Sequence, residues 1–151
     1  MIKYVIIDLD GLLANTEEKY MLHIQNIFDH YADLLNNRCL LNLTSDEFKD
    51  MRNVKKIAFS NSELVDGARE AIHFLNKANF KLILATNSTY GELKQKIYNN
   101  IDVTINKLFN KNFLNVIYKS NNKSEVNKYK RVLEKRFLDA NECLVIEDSY
   151  F

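Results

Sequence analysis

Four short stretches, residues 3–8, 80–86, 113–118 and 143–147, are dense in apolar side chains, and all but the third are nearly continuous. Short apolar runs without alternation predict strands covered on both faces, as in a parallel sheet. Helical spacing fills the gaps between them. Asp66 is placed to cap a helix running through Lys77, with Ala71, Ile72 and Leu75 inward, and Asn79 stands where a glycine commonly ends a helix. Thr89-Tyr90-Gly91-Glu92 fits a capping box that opens the next helix at Ser88 or Thr89. Val126, Tyr129, Val132 and Leu133 recur at helical spacing before the last run. Strands alternating with helices predict an α/β layered sheet.

Residues 17–62 break this rhythm. Tyr20, Ile24, Ile27, Phe28, Tyr31 and Leu35 mark one amphipathic helix, and Thr44-Ser45-Asp46-Glu47 caps a second that carries Phe48 and Met51. No strand pattern intervenes. The expected organisation is therefore a core of residues 1–16 and 63–151, interrupted by a helical insertion over 17–62.

Composition narrows the classes. A length of 151 residues, with 46% hydrophobic and 27% charged residues, suits one globular domain with a small insertion. A net charge of +1 supplies no global field for nucleic acid or an anionic membrane. Cys39 and Cys143 lie far apart without metal-ligand spacing, and Cys143 reads as a small core residue. His23, His30 and His73 fall in helical segments with no pairing, and read as structural or surface residues. No apolar run approaches the roughly 18 residues of a membrane span, and the chain enters a strand at once. A reduced, cytoplasmic protein is expected.

The chemistry gathers at the strand ends. Asp8 and Asp10 follow the first run and precede Gly11, a pair that alone suits a turn as well as a site. The second run ends at Thr86 and Asn87, the fourth at Glu147 and Asp148, and Lys123 precedes the helix feeding the fourth. Ligands of open parallel sheets bind beyond the carboxyl ends of the strands, so these residues converge on one edge. Three carboxylates around a point favour a hard cation such as Mg²⁺, whereas a hydroxyl, N–H groups and an ammonium suit a phosphoryl group.

These motifs resemble those of the haloacid dehalogenase superfamily, nearest the β-phosphoglucomutase-like phosphohydrolases with a helical cap after the first strand. "DLDGLLANTE" is similar to that family's first motif, with Asn15 where an aspartate is common; "LATNS" resembles the second, and "VIEDS" the acidic form of the fourth. For the third motif Lys123 keeps the expected offset to Tyr129, Val132 and Leu133, but Ser124 and Val126 stand where prolines are usual. The resemblance implies a Rossmann-like parallel sheet of order 3-2-1-4 with a small α-helical cap. It further implies Asp8 as the nucleophile forming an aspartyl-phosphate, and Asp10 as general acid and base. Thr86 and the Asn87 N–H would hold phosphoryl oxygens, and Lys123 would neutralise charge between phosphate and Asp8. Mg²⁺ would be held by Asp8, the Asp10 carbonyl, Glu147 and Asp148.

Relatives continue beyond the fourth motif, so a fifth strand is expected to be missing here and 143–147 to form an apolar edge open to self-association. The implied function is a Mg²⁺-dependent phosphatase or phosphomutase acting on a small phosphorylated metabolite. The alternative is a truncated, catalytically weak relative that keeps metal or phosphate binding, or associates through that edge.

Overall fold

The computed structural model describes residues 1–23, 25, 45–99, 103–119 and 127–148. Four parallel strands, β1 (Tyr4–Ile7), β2 (Lys81–Thr89), β3 (Asn115–Lys119) and β4 (Cys143–Ile146), form one sheet in the order β3-β2-β1-β4. This is the order the sequence motifs imply. Ile6 pairs with Ile83 on one side and Val145 on the other, so β1 is central and its carboxyl end lies between those of β2 and β4. Helices follow as α1 (residues 16–23), α2 (Ser45–Ser60), α3 (Ala68–Lys77), α4 (Tyr90–Leu93), α5 (Val103–Asn112) and α6 (Lys128–Arg136).

Of the continuous apolar strands, β1 and β2 are covered on both faces, as their composition requires, whereas β4 is not. Val5, Ile7, Leu82 and Leu84 point to a core shared with Ala68 and Ile72 of α3 and with Ile105, Leu108 and Phe109 of α5. Ile6, Ile83, Ala85 and Ile117 point the other way, against Val132 of α6. Full burial of each Val, Leu, Ile or Phe side chain among these stabilises the fold by about 1.5–3 kcal/mol relative to exposure. At the sheet margin, β4 pairs with β1, and Leu144 and Val145 are exposed. That agrees with the expected edge strand among the described residues.

Two local expectations hold and two need correction. Asn79 takes a left-handed conformation (φ 64°), and Phe80 N–H bonds back to the Leu75 carbonyl across 3.1 Å, closing α3. The Thr89 hydroxyl accepts the Glu92 N–H at 3.3 Å while Glu92 accepts the Thr89 N–H at 2.9 Å, completing the capping box of α4. Asp66, however, does not cap α3. Gly67 at φ 81° occupies that position without a side-chain cap, and the Ala68 N–H is taken by the Val65 carbonyl. With the helix starting there, Ala68 and Ile72 form the buried face and Ala71 is exposed. Of the helix expected from Tyr20 to Leu35, residues Ile24, Ile27, Phe28, Tyr31 and Leu35 lie outside the described residues, as do His30, Cys39 and Thr44.

The two ends of the helical stretch meet. Asn15 N–H donates to the Glu63 carbonyl at 3.0 Å, and the Glu63 N–H donates to Asn15 Oδ1 at 2.7 Å. The Asn15 amide thus joins the segment leaving β1 to the segment entering α3. No helix among the described residues is long and apolar enough to cross a membrane.

Candidate active site

A tight loop leaves β1 and turns its carboxylates toward the neighbouring strand ends. Leu13 and Ala14 N–H groups both bond the Leu9 carbonyl at 3.0 Å, and Gly11 N–H bonds the Ala14 carbonyl at 2.9 Å. Gly11 is required twice over. Its φ is 79°, and a Cβ there would stand 2.2 Å from Asp148 Oδ2. The bare backbone therefore leaves the room into which the carboxylate beyond β4 fits.

Asp8 lies buried at the tip of β1, with its N–H on the Ile146 carbonyl. Carboxylate oxygens of Asp8, Glu147 and Asp148 lie within 4.8 Å of one another. Three oxygen donors of this kind, one buried, one intermediate and one exposed, fit a hard divalent cation with part of its coordination left to water. Burial pushes the Asp8 carboxyl up to about 6, against the pull of a neighbouring ammonium. Burial also acts to raise Glu147, but hydrogen bonds from Lys128 and Tyr129 outweigh it and hold the carboxyl down at about 2. Asp148 is raised by burial and by the neighbouring Glu147.

The ammonium is that of Lys128. Its Nζ lies 2.9 Å from Asp8 Oδ1 and 2.5 Å from Glu147 Oε2, and none of the three side chains is more than 10% exposed. Burial works against its charge, yet hydrogen bonds to both carboxylates overcome this and its pKa is raised. Lys128 is the first residue of α6, whose N-terminus is capped by Asn127 Oδ1 accepting the Tyr129 N–H at 2.9 Å. Tyr129 in turn donates its hydroxyl to Glu147. Lys123, the lysine singled out by the sequence motif, lies outside the described residues.

Asp10 lies across the loop in a second set of contacts. Its Oδ1 accepts from Thr16 Oγ1 and, at 2.6 Å, from Lys96 Nζ. Its Oδ2 accepts from Ser88 Oγ at 3.1 Å and, at the long limit of 3.4 Å, from Thr86 Oγ1. Burial raises the Asp10 carboxyl, but the Lys96 charge and these hydroxyl donors outweigh it, leaving it below the usual carboxylate range. Thr86 is buried within β2, just past Ala85 where the pairing with β3 becomes irregular, and its oxygen also accepts the Ser88 N–H at 3.0 Å. Asn87 is exposed, and its Oδ1 accepts from Arg131 of α6 at 3.3 Å. Asp10, Asn87 and Ser88 border a cavity of about 300 Å³, whose other walls include Tyr20 of α1 and Lys55 and Phe59 of α2.

The structure thus brings together Asp8, Glu147 and Asp148 on one side of the loop, and Asp10 and Thr86 on the other. Sequence reasoning missed Thr16, Ser88, Lys96 and Lys128. Two of these carry a signal: Lys96 sits on the helical stripe of Leu93 and Ile97, and Lys128 lies one turn before Val132, so each is a lysine on a buried face.

Comparison with known proteins agrees with the fold. None of the curated proteins matches the chain. Solved structures share its fold. A Thermotoga maritima protein assigned as a β-phosphoglucomutase superposes with a TM-score of 0.71 at 23% identity, over 98% of this chain and 77% of the other. A Deinococcus radiodurans haloacid dehalogenase family hydrolase, crystallised with phosphate and sodium, gives 0.70 at 19% identity, over 98% and 73%. CbbY from Rhodobacter sphaeroides, crystallised as a mutant with xylulose-1,5-bisphosphate, gives 0.62 at 16% identity, over 99% and 79%. The model of the haloacid dehalogenase-like hydrolases matches residues 29–151, most of the chain, and the chain belongs to that family.

Proposed function

We propose that the protein is a Mg²⁺-dependent phosphohydrolase that acts on a small phosphorylated metabolite through an aspartyl-phosphate on Asp8. The observation that carries this reading is the buried Asp8 at the tip of the central strand, held by Lys128 and flanked by Glu147 and Asp148. A carboxylate so placed is an oriented nucleophile next to fixed positive charge, and phosphoryl transfer depends mainly on positioning and charge neutralisation.

Asp8, Glu147 and Asp148, with the Asp10 carbonyl, would hold the Mg²⁺, which when bound supplies further positive charge to the transferring phosphoryl group. Asp8 attacks phosphorus through a carboxylate oxygen, and the bond from phosphorus to the departing oxygen breaks. The Thr86 hydroxyl and the Asn87 N–H hold the phosphoryl oxygens late in β2. Lys128 compensates negative charge beside Asp8, and Lys123, the lysine of the sequence motif, neutralises charge between the phosphate and Asp8. Asp10 serves as general acid and base: in its protonated form it gives a proton to the departing oxygen, and as the carboxylate it then accepts one from the water that hydrolyses the phosphoenzyme. The cavity next to Asp10, lined by Tyr20 and Phe59 among others and of about 300 Å³, supports a small substrate rather than a protein. The sugar bisphosphate bound by CbbY is in keeping with that class.

The test is a panel of phosphorylated metabolites assayed with Mg²⁺ and with chelator, using the wild type and Asp8→Asn. Metal-dependent phosphate release that disappears in Asp8→Asn is expected. Equal release by both proteins overturns the assignment.

A further inference from the structure

We propose that Lys96 is a positioning residue for Asp10, holding its carboxylate against the end of β2 on the leaving-group side of the phosphoryl site. The inference rests on the phosphohydrolase reading but concerns a residue that no family motif singles out.

Lys96 is buried at 5% exposure, and its ammonium meets three elements at once. It lies 2.6 Å from Asp10 Oδ1 in the loop after β1, 2.7 Å from Ser88 Oγ in β2, and 4.2 Å above the ring of Phe59 in α2. A lysine is costly to bury this deeply unless its charge is used, and the backbone here is shaped to bury it. Residues Lys94–Tyr98 form a single wide turn in which Asn99 N–H reaches back five residues to the Lys94 carbonyl at 2.7 Å. Such π turns are rare and are frequently found at functional sites.

The geometry fixes both oxygens of Asp10. Lys96 shares Oδ1 with the Thr16 hydroxyl. Because the ammonium has only protons to give, Ser88 must accept from it, which leaves the Ser88 proton free to go to Asp10 Oδ2 at 3.1 Å. One ammonium therefore orients the carboxylate directly at one oxygen and through Ser88 at the other. Without it, Ser88 can rotate and Oδ1 keeps the Thr16 hydroxyl alone. The Phe59 contact also ties this arrangement to α2, which walls the cavity.

Lys96→Met is the informative variant, since a thioether of similar length fills the space beside Phe59, Leu93 and Ile97 while removing the charge. With p-nitrophenyl phosphate and Mg²⁺, kcat is expected to fall about 10²-fold with KM nearly unchanged, as for a misplaced catalytic group. In an Asp10→Asn background the same substitution should cost little further, because a positioning residue acts through the group it positions. Losses that multiply in the double variant, or an unchanged kcat in the single one, overturn the proposal. Crystal structures of wild type and Lys96→Met decide it independently of turnover. The Asp10 carboxylate is expected to swing away from Ser88, and a carboxylate left in place refutes the role. A wild type that hydrolyses no phosphate ester counts against the phosphohydrolase reading instead, and the crystallographic comparison still judges Lys96.

Discussion

Lys128→Met is expected to destabilise the metal-free protein and to do so in a pH-dependent way. The ammonium stands 2.9 Å from Asp8 and 2.5 Å from Glu147, and no more than about a tenth of any of the three side chains is exposed. Removing one member of a buried ion pair leaves uncompensated charge and costs about 3–5 kcal/mol. In a chain of this size that is a drop of roughly 6–20 °C in melting temperature. The cost has a ceiling set by Asp8. Its carboxyl titrates at about 6 with Lys128 present, so without the ammonium it keeps its proton to higher pH and relieves part of the repulsion. The loss should therefore sit at the low end at pH 5, where Asp8 is already protonated in the wild type, and at the high end at pH 8. Added Mg²⁺ should restore part of it by supplying charge to the same carboxylates. Melting curves in chelator at both pH values, with and without Mg²⁺, provide the assay, and Lys123→Met provides the comparison. An unchanged melting temperature for Lys128→Met at pH 8 would refute the reasoning.

Two further outcomes follow from the same carboxylates. Asp148→Ala should weaken Mg²⁺ binding more than Glu147→Ala, because Lys128 and Tyr129 already engage Glu147 while Asp148 stands exposed beside Gly11; calorimetric titration giving the reverse ranking contradicts this. Asp8 binds its proton more tightly folded (about 6) than at its ordinary value of 3.8, so its contribution to stability is complete below pH 3.8 and is lost as pH rises through about 6. Asp8→Asn lacks that loss. Its melting temperature relative to wild type should rise between pH 4 and pH 7 in chelator, and a difference that stays flat rules the account out.

The strands were legible in the sequence because burial on both faces leaves continuous apolar runs such as Val5-Ile6-Ile7 and Leu82-Ile83-Leu84, which no helical period explains. Side chains at strand ends were legible for a related reason: a parallel sheet sends Asp8, Thr86 and Glu147 to one edge whatever the loops do. Cap chemistry is legible where both partners are local, as in Thr89 and Glu92, and not at Asp66, where Gly67 takes the cap position and the Val65 carbonyl accepts the Ala68 N–H. The lysines were the hard part. With 21 basic residues, type alone does not distinguish an ammonium at a carboxylate from one in solvent. Lys128 and Lys96 are set apart by burial, which depends on how α6 and the wide turn at Lys94–Tyr98 pack, not on local spacing.

The central claim is covalent chemistry at Asp8, and trapping the intermediate tests it most directly. The wild type mixed with acetyl phosphate and Mg²⁺, quenched in acid and digested, should yield a peptide containing Asp8 that carries one additional phosphoryl group, and Asp8→Asn should yield none. Phosphate release that proceeds with Asp8 unmodified, or that persists in Asp8→Asn, would contradict the account.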